Sequence, residues 1–121
     1  MANTFKTVTF AAEPASAGTA YKMYTCPSST TTVVLGLVLA NIHTTAVTAE
    51  VELVSDTANR GGANDVANGT SFLVKDVTIP TGSSLEILSG SKVVMEATDE
   101  IKIDCSVADK LSGTLSIMEI S

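Results

Sequence analysis

A chain of 121 residues fits one domain and can bury a core without disulfides or a metal. Hydrophobic residues make up 45%, aromatics only 4%, and tryptophan is absent, so the chain is globular with a core drawn from Val, Leu, Ile and Ala. The net charge is −6 and the 7 Lys and Arg are scattered, which argues against direct binding to nucleic acid or to an anionic membrane surface.

Residues 4–10 alternate Phe5, Thr7 and Thr9 against Lys6, Val8 and Phe10, a pattern that suits an edge strand or a mobile arm. Residues 11–18 (AAEPASAG) are small and carry a proline, so they read as a linker. Residues 1–18 are therefore an expected arm, and 19–121 a single β domain. Residues 19–25 form a strand with Tyr21 and Met23 facing one way, and Cys26-Pro27 ends it because proline cannot donate to a ladder.

Residues 31–41 (TTVVLGLVLAN) are the central strand. Simple alternation puts Val33, Leu35, Leu37 and Leu39 on one face and Val34, Gly36, Val38 and Ala40 on the other. Both faces are apolar, so both require a cover, from within the chain or from another subunit. Residues 45–55 alternate more cleanly. Val47, Ala49, Val51 and Leu53 point inward, while Thr48, Glu50 and Glu52 point to water.

Residues 56–70 (DTANRGGANDVANGT) break the rhythm and form a long loop rich in Gly, Asn and Asp. Short β runs then crowd together at 71–79, 85–88, 92–96, 101–107 and 114–120, with Pro80-Thr81-Gly82-Ser83 and Ser89-Gly90-Ser91 between them. This spacing leaves no room for helices and predicts an all-β, antiparallel, jelly-roll-like sandwich of about eight strands with an N-terminal arm.

The chemical inventory is thin. His43 is the single histidine and sits where the central strand ends, a strand-end or turn position rather than that of a general base. Ser89 and Lys92 match an S-x-x-K pattern, but in a Gly-containing turn rather than on the helix that motif needs. Asp56, Asn59, Asn64, Asp65 and Asn68 offer oxygens without the spacing of a calcium loop, and turns favour these residues for backbone reasons. Cys26 and Cys105 read as buried free thiols. Glu50 with Glu52 marks a solvated face, and Asp99 with Glu100 a turn. No cofactor or metal is expected, nor catalysis. Residues 1–10 lack a secretory leader, and the apolar run 33–40 is too short for a membrane helix, so a cytoplasmic site of synthesis is expected.

Four segments carry a resemblance: YTCPSSTTTVVLGLVLAN at 24–41, VKDVTIPTGSSL at 74–85, LSGSKVVMEATDEIK at 88–102 and LSIMEI at 115–120. Together they resemble small Thr-rich virion structural proteins of tailed phages, of the type frequent in cyanophages. Two departures stand out: the 56–70 loop looks longer than the family's turn, and Thr98 stands where the pattern often has Gly. The resemblance implies a β-sandwich subunit bound to the particle and no activity.

The expected role is therefore that of a capsid decoration or cement subunit. It would be assembled in the host cytoplasm, located in the virion, and held by the major capsid protein or other virion proteins, with self-association as a trimer. A tail, neck or fibre-attachment component is the alternative, and a carbohydrate-binding module for host adsorption comes from another class. The candidate interface takes Phe5, Val8 and Phe10 from the arm, Val34 and Val38 from the central strand, and Asn59, Arg60, Asn64 and Asp65 from the long loop.

Overall fold

Hydroxyl-bearing and branched residues alternate along most of the chain, which favours pleated backbone, and the computed structural model is built from strands. It describes residues 2–55, 69–88 and 91–121. The strands are β1 (Asn3–Glu13), β2 (Tyr21–Thr25), β3 (Thr31–Asn41), β4 (Val47–Ser55), β5 (Gly69–Ile79), β6 (Ser84–Glu86), β7 (Val93–Met95), β8 (Glu100–Cys105) and β9 (Leu111–Ile120).

They form two antiparallel sheets. The first runs β1-β9-β3-β6, with β7 also on β3, and the second runs β2-β8-β4-β5. The pairing is nested. First pairs with last (β1–β9), β2 with β8, β3 with β6 and β7, and β4 with β5. One long hairpin is thus folded over itself, the jelly-roll arrangement of two stacked sheets. β6 and β7 run along the same side of β3 and act as one interrupted lane, which reconciles nine strands with the eight lanes of that fold.

The inner faces meet in a core of Val34, Leu37, Leu39, Val47, Ala49, Val51, Ile101, Ile103, Leu111, Leu115 and Ile117, joined by Met23, Met95 and both cysteines. The alternations expected for β4, β8 and β9 are all present. Tyr21 packs edge-on against Phe10, with ring centroids 5.3 Å apart, and links β2 to β1 across the two layers. Phe10 also lies over Gly113. A Cβ placed there would come within 2.3 Å of the ring, so this position leaves no space for a side chain.

Two expectations need correction. Residues 3–13 are not a detached arm. They form the edge strand of the first sheet, paired with β9 from Asn3↔Ile120 to Glu13↔Leu111, because Val8 and Phe10 find apolar cover there. The second correction concerns β3. Its register against β9 steps from Val34↔Ile117 to Gly36↔Ser116, so Leu35 is an extra residue opposite none. This bulge switches the inward set from Thr32 and Val34 to Leu37, Leu39 and Asn41. Leu35 is half-buried and outside the core cluster.

Candidate interaction surface

The two outer faces of the sandwich differ in chemistry. On the second sheet, register aligns Lys22 with Lys102 and Glu52, Glu50 with Asp104, and Thr25 with Glu100. Outward side chains pair across strands, Lys22–Glu100 at 3.1 Å and Lys75–Glu50 at 3.1 Å, and along β8, Lys102–Glu100 at 3.8 Å. Lys75 also caps the Phe72 ring, 4.5 Å from its centroid. This face is built to stand in water.

The outer face of the first sheet has a different character. Register places Phe5, Met118, Val33 and Val94 in one row across β1, β9, β3 and β7. Phe5 is 72% exposed and Val94 60%. Adjacent rows hold Thr7, Ser116 and Gly36, then Thr9, Thr114, Val38 and Glu86. Among the outward residues of the described strands of this sheet, Glu86 alone carries a charge. The bulge at Leu35 is what brings Val33 and Val38 to this side.

The expected interface residues separate accordingly. Phe5 is exposed and Val38 half-buried on this outer face. Val8 is half-buried against the core, Phe10 is 8% exposed and Val34 is fully buried, so these three belong to the interior. They were misplaced because β1 closes the sandwich and the β3 bulge reverses the phase. Asn59, Arg60, Asn64 and Asp65, with Asp56 and Asn68 of the calcium reading, lie outside the described residues, as does Ser89 of the S-x-x-K match.

A polar chain links the layers at one end. Lys6 Nζ lies 2.7 Å from Glu119 Oε1. The Tyr24 hydroxyl donates to Glu119 Oε2 at 2.6 Å and lies 2.8 Å from Thr32 Oγ1, which in turn is 3.2 Å from Cys26 Sγ. Lys6, and then Tyr24, hold the Glu119 carboxyl below its ordinary range. Burial, and then the Glu119 anion, push the Tyr24 phenol well above its ordinary value. Burial likewise raises the Cys26 thiol, whose sulfur lies 3.3 Å from the Thr30 carbonyl oxygen. Sequence spacing gave no sign of this chain, since its members come from β1, β2, the residue after β2, β3 and β9.

His43 closes the β3–β4 turn through its backbone. Its N–H donates to Asn41 Oδ1 at 2.7 Å and its carbonyl accepts from Thr81 at 2.7 Å. The buried Asn41 amide donates to the carbonyls of Thr45 and Ile79. Two hollows formed by described residues are small. One of about 190 Å³ is lined by Gly18, Glu50, Asp76, Asp104 and Ser106, and another of about 160 Å³ lies beside Pro14 and Tyr21. Both fall below the roughly 300 Å³ of a typical small-molecule site. No group of three or more metal-ligating side chains occurs among the described residues.

The fold and its outer faces define an all-β, two-sheet protein with one charged and one neutral side. No protein-family model matches the sequence, and no curated protein does. Among solved structures, the chain is similar to one described as "Bacillus endospore appendages form a novel family of disulfide-linked pili". The two are 17% identical with a TM-score of 0.47, over 99% of this chain and 87% of that one.

Proposed function

We propose that this chain is a structural subunit that acts by packing surface against surface, and more specifically a tailed-phage virion protein that coats or cements a capsid. The observation that carries the first step is the partition of charge between the two outer faces. A depletion of charge at the centre of a surface marks interfaces more reliably than hydrophobicity does. The neutral row Phe5–Met118–Val33–Val94 sits in such a depleted field.

The finer step rests on the sequence resemblance at 24–41, 74–85, 88–102 and 115–120. Its partners would be the major capsid protein or another virion protein, together with further copies of itself, and its location the virion. The titratable groups with displaced protonation support a role without catalysis. Tyr24, Cys26 and Glu119 are bonded within the polar chain at the sheet junction, and Lys75 is paired with Glu50 on the outer face of the second sheet.

Mass spectrometry and imaging of particles assembled with a tagged copy test this reading. Density for the jelly roll at every shell lattice point is the expected result. Density at the tail or neck would move the subunit there, and absence of the chain from all particles would overturn the proposal.

A further inference from the structure

We propose that the outer face of the β1-β9-β3-β6 sheet pairs with the same face of a second copy of this chain. This deepens the structural-subunit reading and rests on it, since it assigns the partner of the neutral surface.

Extent is the first argument. The strands β1, β3 and β9 have 11, 11 and 10 residues. At roughly 3.3 Å per residue and about 4.8 Å between four lanes, the face covers on the order of 650 Å², close to the ~800 Å² each partner buries in a stable pair.

Charge is the second. A molecule of net charge −6 resists meeting itself unless its charges lie away from the contact. Here Lys22, Glu50, Glu52, Lys75, Glu100, Lys102 and Asp104 stand on the opposite sheet. On the first sheet Lys6, Glu13 and Glu119 share register with the inward Ile117, Leu111 and Thr32, which leaves Glu86 as the charged outward strand residue among those described. With sheets stacked about 10 Å apart, pairing neutral face on neutral face leaves the two charged faces about 30 Å from each other, several Debye lengths at physiological salt.

Self-complementarity is the third. A two-fold pair requires one patch to suit itself. Among the described strand residues of this face, all but Glu86 at the β6 margin are apolar or neutral polar, Thr7, Thr9 and Thr114 among them. The same sheet on another copy offers an equally neutral surface of matching length and width.

Sedimentation velocity of the purified full chain over a wide concentration range tests this. The expected result is a dimer whose affinity is insensitive to salt. Val33→Lys and Phe5→Glu, each present twice in the pair, should weaken it at least roughly a hundredfold, because each buries an unpaired charge. Circular dichroism should be unchanged, and Glu50→Lys on the opposite face should leave the dimer intact. Phe5→Glu remains decisive if Val33→Lys misfolds, since the Phe5 side chain is largely in water.

A monomer at every concentration would overturn the inference, as would a dimer or trimer indifferent to both substitutions. A monomer that still joins particles would overturn self-pairing while leaving the structural role standing.

Discussion

Tyr24 of β2 donates its hydroxyl hydrogen to Glu119 of β9 at 2.6 Å, so a single bond ties one sheet to the other near the strand ends. Glu119 is 9% exposed and also meets Lys6 of the edge strand. A carboxylate this enclosed needs both partners, and a bond to a charged acceptor contributes more than a neutral one. Tyr24→Phe removes the donor and should destabilise the fold by about 1–3 kcal/mol, read by chemical denaturation.

The same pair sets an acid limb. The carboxyl of Glu119 binds its proton less readily in the folded chain than in the unfolded one. Its contribution is therefore present at neutral pH and is lost as pH falls from about 4.3, the unfolded value, through the lower folded value. Glu119→Gln should be less stable at pH 7 and show a shallower loss of stability over that window. An unchanged slope in thermal melts from neutral to acid pH would contradict this.

Leu37 and Leu35 make a paired test of the bulge. Leu37 is fully buried, whereas Leu35 lies outside the core. Leu37→Asp should prevent folding, since an unpaired buried carboxylate costs several kcal/mol. Leu35→Asp should yield folded protein of lower stability. Equal effects, seen by circular dichroism and solubility, would mean that β3 keeps simple alternation.

Thr98 occupies the turn between β7 and β8 with φ of 72°. A β-branched residue is strained in that region and glycine is not. Thr98→Gly should relieve that strain, partly offset by the added freedom of the unfolded chain. A net gain of about 1 kcal/mol is expected, read as a rise in Tm.

Removal of residues 1–13 should strip the edge strand, uncover β9 and take Phe10 out of the core. The expected product is destabilised and prone to associate along the newly open edge. A truncated chain with an unaltered melting curve would restore the detached-arm reading.

Most of the β framework was legible in order because period-two patterning is a local property. Val47, Ala49 and Val51 in β4, and Ile101, Ile103 and Cys105 in β8, face inward as alternation requires. The candidate surface was only half legible. Phe5 and Val38 lie on it, but Met118 and Val94 were missed, because only register places them beside Phe5 and Val33.

The amino-acid order alone determined that this chain is all-β, built on aliphatic side chains and poor in catalytic groups, since hydropathy period and residue type act over a few neighbours. Only the tertiary structure decided that residues 3–13 close a sheet, that one extra residue in β3 reverses its faces, and that the outward strand residues of the second sheet are charged while those of the first, Glu86 apart, are neutral among the described residues. Those outcomes depend on which distant strands become neighbours. That choice is made by the packing of the whole core rather than by any short stretch of sequence.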